Sequence, residues 1–374
     1  MSRAPACALA AVAILAFAPS LAVAQTRWAV LSAASSRDEA PRARDVGEHA
    51  LAALEAQGEA VTARERAASR IERELSRSFA PAPDDLAARV ADVSETVLAD
   101  IVAGRTARAR DAGEPMLDAA EEHIVALGRI ETAARDVANL CLFLVRAELQ
   151  DRRPDQARTL LERCVRNLPR IDAEGRMHPP EIGEMLEEIR PSSRRAEQQG
   201  TLSVQGAAGE PDGCAVRVNG SRVGSTPWAR VALPAGVYGV QVECDPAIPG
   251  RVFAASIEPG ETTRLTVMAR LSQSLETHGG VALVYASPAE LAARIAADVA
   301  QLGSVLGVER VLVGVVDAGA VTVRAFEIVP GSSLARLTGS TPVAEPFDAS
   351  SSLEAVQRAR SGRQAPGATV EPPV

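Results

Sequence analysis

Four cysteines carry the clearest chemistry in this chain of 374 residues. Cys141, Cys164, Cys214 and Cys244 form an even set, while a fifth, Cys7, stands at the amino terminus. In an oxidising compartment an even set favours bridges, and four thiols allow three connectivities. Zinc is the competing use, but the C-x2-C spacing that usually supplies its ligands is missing. Disulfides are therefore expected. The four histidines, His49, His123, His178 and His278, are scattered and have no i, i+4 partner for a metal. Glu121-Glu122-His123 looks like a ligand cluster, but sequence neighbours on a helix point to different faces, so a solvated helix surface is expected. No G-x-S-x-G elbow is present. Gly331-Ser332-Ser333 and Gly339-Ser340-Thr341 read as loop sequences, and Gly279-Gly280 precedes a strand rather than the helix a phosphate cradle needs. Paired carboxylates are frequent, but no pattern puts two in a shared apolar cleft. The chain has no lysine, which removes P-loop, Schiff-base, Ser–Lys and kinase-type chemistry together. No catalytic, cofactor-binding or metal-ligating residue is nominated, no cofactor is expected, and a non-enzyme is the expectation.

The amino terminus indicates where such thiols would meet oxidant. Arg3, the apolar run Ala6 to Ala18, the breakers Pro19-Ser20 and the A-x-A site Ala22-Val23-Ala24 before Gln25 read as a cleavable signal over residues 1–24. The run is short for a membrane span, no cysteine follows the site for lipid anchoring, and no transmembrane segment is expected after cleavage. An exported protein of the periplasm or cell envelope follows. The net charge of −8 and the lack of a basic patch argue against nucleic acid. Aromatics make up only 3% of residues, too few for stacking platforms.

The elements that would position these residues fall into blocks, giving a multi-domain α+β expectation. Residues 25–79 read as a small α/β unit: strand Trp28 to Leu31, helix Arg37 to Gln57 ended by Gly58, strand Ala60 to Thr62, and helix Arg64 to Phe79 with Ile71, Leu75 and Phe79 spaced by four. Ala80-Pro81-Ala82-Pro83 is a stiff linker. Residues 84–190 are helical: Leu86 to Val102, Thr106 to Leu127, Ile130 to Gln150, Gln156 to Asn167 and Glu181 to Ile189, the last opened by His178-Pro179-Pro180. Cys141 and Cys164 lie on consecutive helices there, about equally far from the turn at Asp151 to Pro154. The run Glu187-Glu188 to Arg194-Arg195 reads as a solvated helix end and linker. Residues 200–270 show short alternating runs, Leu202 to Val204, Ala215 to Val218, Val237 to Val242 and Thr263 to Val267, separated by Gly, Pro, Asn and Asp clusters, which is an all-β pattern. Residues 278–338 read as a β-α-β-β unit: strand Val281 to Tyr285, a helix opened by the capping box Ser287-Pro288-Ala289-Glu290 and running through Leu302, strand Arg310 to Val316, the turn Asp317-Ala318-Gly319 and strand Val321 to Ile328. The two α/β ends could be halves of one sheet; two independent units is the simpler expectation and the one adopted. Residues 339–374 are expected to be mostly disordered, apart from a helix near Leu353 to Arg360.

Three resemblances rest on these residues. Val218-Asn219-Gly220, Gly224-Ser225-Thr226-Pro227, Leu233-Pro234-Ala235-Gly236-Val237-Tyr238 and Pro259-Gly260-Glu261, in that order, resemble the PEGA domain, a small β-sandwich-like module of bacterial surface and envelope proteins. Cys214 and Cys244 would open and close neighbouring strands of that module, so the local pairing Cys214–Cys244 with Cys141–Cys164 follows. Asn139 to Pro169 resembles one tetratricopeptide repeat, with Ala157, Leu161 and Cys164 on its signature positions; Val145 and Glu148 depart from the pattern. Leu306 to Gly314, within its β-α-β-hairpin string, is similar to the end of TolB-like or curli-secretion-type periplasmic α/β domains. Together they imply a non-catalytic, modular envelope scaffold that contacts other envelope proteins or cell-wall glycans. The alternative they imply is an accessory subunit of a periplasmic secretion or transport assembly.

Overall fold

A computed structural model describes residues 26–169, 171–173, 177–189, 199–207, 209–343 and 349–361. Residues 1–24, expected to be a cleavable signal, the part of the charged run beyond residue 189 and the last thirteen residues lie outside the described residues.

Strand β1 (Arg27–Ala34) enters helix α1 (Ala40–Ala56), followed by the short β2 (Ala60–Val61) and α2 (Arg64–Glu74). Helices follow: α3 (Leu86–Val102), α4 (Thr106–Glu122), α5 (Ile124–Leu127), α6 (Glu131–Gln150), α7 (Pro154–Asn167) and α8 (Pro180–Ile189). The β module holds β3 (Gln199–Gly206), β4 (Ala215–Val218), β5 (Ser221–Ser225), β6 (Trp228–Pro234), β7 (Gly236–Glu243), β8 (Phe253–Ile257) and β9 (Thr262–Val267). The chain closes with α9 (Ala269–Ser274), β10 (Leu275–Glu276), β11 (Ala282–Val284), α10 (Pro288–Leu306), β12 (Arg310–Asp317), β13 (Ala320–Glu327), β14 (Arg336–Pro342) and α11 (Ala349–Arg360). Among the described residues the fold is mixed α+β with three open sheets.

The largest sheet corrects the expectation of two independent end units. Its order is β10-β11-β1-β12-β13-β14, with β2 also on β1, so the first strand of the chain lies between two strands from its far end. β1 runs parallel to both, pairing Trp28–Ala34 with Arg310–Val316 and Ser32–Ala34 with Ala282–Val284. The physical reason is two-sided burial. Ala29, Leu31 and Ala33 pack with Ile71 of α2 and with Leu291, Ile295 and Val299 of α10. Trp28, Val30 and Ala34 pack on the opposite face with Val46 and Leu54 of α1 and Val356 of α11. A strand apolar on both faces needs covered neighbours on both, as central parallel strands do. Gly314 allows the close approach of α1: a Cβ there would stand 2.8 Å from Val46 Cγ1 and 2.9 Å from the Gly47 nitrogen.

Further expectations change at the tail and at the end of α2. The tail expected to be mostly disordered supplies β14, and the helix expected near Leu353 to Arg360 is present as α11, whose Ala355, Val356 and Ala359 are buried on this sheet. Gly339-Ser340-Thr341 therefore lies in a strand, not a loop; its polar composition hid an edge strand whose partner β13 supplies the apolar residues. The helix expected to reach Phe79 stops at Glu74, because Arg77 exchanges two 2.8 Å backbone hydrogen bonds with Val252.

The inserted helices pack in a stacked-hairpin pattern: α3 against α4 and α6, α4 against α6, α6 against α7 and α8, and α7 against α8. Ala157, Leu161 and Cys164 belong to the buried stripe of α7, where Cys164 meets Cys141 of α6. The single helix expected over Thr106–Leu127 is broken at His123, and the short α5 that follows backs onto the Asn219-Gly220 turn of the β module. That module is two facing sheets, β6-β3-β9 and β5-β4-β7-β8, around a separate core that includes Leu202, Val216, Val240 and Ile257. Three of its strands, β5, β6 and β8, are not distinguished by alternation in the sequence.

Candidate functional site

The four nominated cysteines meet in two pairs. Cys141 is bonded to Cys164 between α6 and α7, and Cys214 to Cys244 between the start of β4 and the end of β7, with Cα separations of 6.0 and 4.2 Å. Cys141 and Cys164 are buried in the helical core and Cys214 in the β core, so they hold the two inserts internally rather than lining a site.

The chemistry that sequence reasoning missed lies at the seams. On the helical side, the turn after β4 places Asn219 at φ 47° and Gly220 at φ 80°, a left-handed pair suited to a tight hairpin. Buried Asn219 donates its Nδ2 to the carbonyls of Arg166 (2.9 Å) and Asn167 (3.2 Å) at the end of α7, while its Oδ1 accepts from Gly239 N. The carboxylate of Glu243 is buried between two arginines: it accepts from Arg129, which follows α5, and from Arg217 Nε of β4 at 2.9 Å. A buried carboxylate needs such partners, since its desolvation costs several kcal/mol, on the order of the whole pairing energy.

On the α/β side the centre is Arg251. The loop after β7 is folded on itself by Gln241 Nε2, which donates to Gly250 O at 2.6 Å, and by Gly250 N, which donates to Glu243 at 3.1 Å. This delivers Arg251 into the other unit with 3% exposure. Its Nε donates to Ser76 Oγ (2.9 Å), one terminal nitrogen to Ser76 O (2.6 Å), and the other to Ser78 Oγ (3.1 Å), Leu275 O (3.2 Å) and Thr277 Oγ1 (3.3 Å). Glu72 stands 3.8 Å from the guanidinium and accepts from Thr277 Oγ1 (2.6 Å) and Ser78 Oγ (3.1 Å). The Thr277 hydroxyl, then the Ser78 hydroxyl and the Arg251 charge, hold Glu72 below the ordinary carboxylate value against its partial burial. Burial pushes Arg251 down, opposed by Glu72.

Two open grooves flank this cluster. One, of about 660 Å³, runs between α2 and the edge of β8 and is lined by Ser69, Arg73, Arg77, Phe253 and Leu265. The other, of about 510 Å³, is lined by Arg64, Glu65, His278 and Gly280. Glu72 borders both. His278 is exposed at its rim, and the Gly279 carbonyl accepts from Arg64. The other histidines are dispersed: His49 Nδ1 lies 2.8 Å from Asp45 O, His123 caps α4, and buried His178 packs 5.1 Å from the Phe143 ring. Glu121 is not on a simply solvated face; Arg163 Nε reaches it at 2.6 Å and Asn167 also donates to it. Among the described residues no group of three metal-binding side chains comes together, and no helix is long and apolar enough to cross a membrane.

The ends of the parallel strands, where open α/β sheets hold their ligands, are occupied by internal bonds. Ser35 Oγ donates to Glu39 (2.8 Å) and accepts from Ala318 N (3.1 Å), and Gly319 N donates to Glu39 (2.8 Å). Burial pushes Glu39 up, but the hydrogen bonds from Ser35, Gly319 and Ser36 outweigh it and hold the carboxyl below its ordinary value. Beside them the Ser287 half of the expected capping box forms, with Ser287 Oγ accepting from Glu290 N at 3.2 Å, while Glu290 accepts from Ala286 N, one residue before the cap, at 2.9 Å. About two turns further along α10, Asp298 is buried. Tyr285 donates its hydroxyl to it at 3.0 Å and Arg294 stands 3.3 Å away. Burial raises Asp298 to about 6 despite Arg294 and Tyr285, and the charges of Glu210 and Glu290 add to the rise.

A carboxyl raised above its unfolded value, roughly 4, favours the folded state while protonated and loses that contribution as pH rises through its folded value. Asp298 should therefore make stability fall between about pH 4 and pH 6.5, by up to roughly 3 kcal/mol. Glu39 and Glu72, whose values are lowered, act in the opposite sense at lower pH. Urea midpoints from pH 4 to 7 for the wild type and Asp298→Asn measure the difference. A variant whose pH profile parallels the wild type would contradict this assignment.

Comparison with protein-family models, with curated proteins and with solved structures returned no match.

Proposed function

We propose that the chain is an exported, non-catalytic scaffold of the bacterial cell envelope. In this reading a split α/β base carries a tetratricopeptide-like helical insert and a PEGA-like β module. The observation that carries it is how the buried charges are used. Arg251 serves Ser76, Ser78, Leu275 and Thr277 across one joint between units, and Glu243, steadied by Arg217 of its own module, serves Arg129 across the other. Groups spent on such joints hold surfaces in fixed relation and leave little reactive polarity for chemistry on a ligand. The two disulfides, one per insert, suit an oxidising compartment. The partners of this reading are other envelope proteins or cell-wall glycans.

One observation favours the second reading, an accessory subunit of a periplasmic secretion or transport assembly. The two chain ends share a sheet, as an α/β domain of the TolB-like or curli-secretion type would require. Both readings need export, so the experiment begins there. Protein isolated from the envelope fraction should start at Gln25 and contain no free thiol at Cys141, Cys164, Cys214 or Cys244. Cross-linking in cells then separates them, with glycan or dispersed envelope proteins supporting the scaffold and one stoichiometric complex supporting the subunit. An intact Met1 in a cytosolic fraction, with four free thiols, sinks both.

A further inference from the structure

We propose that the open edge of β8 is a strand-addition site for an extended, acidic-flanked peptide segment of a partner protein. The edge is already used once. Val252, the residue before β8, exchanges both of its backbone hydrogen bonds with Arg77, each 2.8 Å. Since Val252 faces outward, the period of two makes Ala254 and Ser256 the next outward rungs, while Phe253 and Ala255 bond inward to Val240 and Tyr238 of β7. The Ser256 carbonyl is taken by Thr263 Oγ1 at 2.6 Å. Ala254 is the rung between, it is exposed, and among the described residues no strand pairs with it on that side.

The segment that pairs with Val252 does not fill this rung. An antiparallel continuation from Arg77 would bring residue 75 opposite Ala254, but Leu75 N is committed to Ile71 O as the end of α2. The 660 Å³ groove occupies the space so left. Next to it an apolar hollow of about 170 Å³ is walled by Leu75, Phe253, Leu265, Met268 and Leu271. A strand paired at Ala254 would send its flanking side chains toward the face of Phe253, which suits one large aliphatic residue.

Charge selects what flanks that residue. Of the four charged side chains on the groove, Glu72 is bonded by Thr277 and Ser78, and Glu74 accepts from Arg70 at 2.8 Å. Arg73 and Arg77 are exposed, and among the described residues neither guanidinium has an ion pair or side-chain hydrogen bond. Two unspent cations over an apolar hollow and an open backbone rung fit Asp or Glu on either side of an apolar residue.

The inference rests on the scaffold reading for its biological sense, but its test is separate. A phage-displayed heptapeptide library is selected on the full oxidised chain, and the enriched peptides are synthesised and titrated. Enrichment of apolar sequences flanked by Asp or Glu is expected. Ala254→Pro, which removes the outward N–H of an edge strand where proline is tolerated, should weaken them at least about tenfold. The exposed pair Arg73→Glu/Arg77→Glu should do the same without touching the fold, as an unchanged thermal midpoint checks. The proposal is overturned if no peptide is enriched, or if the enriched ones bind the arginine-reversed chain as well as the wild type. Should that happen while cross-linking still finds envelope partners, the scaffold reading stands and this edge is not its contact.

Discussion

Replacing Arg251 by alanine is expected to lower stability by about 3 to 5 kcal/mol, the range for removing one member of a buried charged network. The side chain makes five hydrogen bonds to Ser76, Ser78, Leu275 and Thr277 and is almost wholly buried. Alanine would leave the Ser76 and Leu275 carbonyls without this donor and open a cavity, and both effects add. Lysine should recover little, because one ammonium cannot present the fork that reaches Ser76 and Thr277 at once. The consequence extends beyond a number, because Arg251 is the pin between the β module and the α/β base. Its loss should split a single urea transition into two, with the module's transition following Tyr238 and Trp228 fluorescence. A loss below about 1 kcal/mol, within the range of an exposed contact, would show that the seam does not depend on this residue.

How much of this was legible in the sequence depends on distance along the chain. Helix α3 occupies the residues its apolar spacing marks, and α6, α7 and α8 begin within two residues of expectation, because periodicity and caps are local signals. The Asn219-Gly220 turn and the Ser287 cap are local for the same reason. The sheet was harder. Pairing Trp28 with Arg310 joins residues far apart in the chain, and a short strand buried on both faces carries no alternation to say who its neighbours are. β14 was missed because Thr338, Gly339, Ser340 and Thr341 look like a loop until β13 is placed beside them. The seam residues were invisible for a further reason. Arg251 follows Pro249-Gly250, and Glu243 precedes Cys244, in what reads as ordinary turn sequence. A buried charge is distinguished from a solvated one only by partners from other segments, and here these are Ser76, Thr277 and Arg129.

The excised segment Gly200 to Arg270 is expected to fold only while Cys214–Cys244 is intact. Its core is its own, formed by Leu202, Val216, Val240, Ile257 and their neighbours, so the β pattern should survive excision. Excision nevertheless removes every side-chain partner of Arg251 and one of the two arginines on Glu243. A module of this size is marginal without a staple. The bridge closes a separation of 30 residues, worth about 3 to 4 kcal/mol in the chain-entropy model, comparable to all the stability such a fragment has. Cys214→Ser or Cys244→Ser should thus unfold the fragment outright. In the full chain the same change should only lower the denaturation midpoint, because the seams at Asn219, Glu243 and Arg251 remain. Circular dichroism and limited proteolysis of oxidised and Ser-substituted fragments decide it. A fragment that stays unfolded with its bridge formed would mean that the seams, not the core, hold the module together. The chain would then be one cooperative α/β domain with insertions, which is the construction the transport-subunit reading requires.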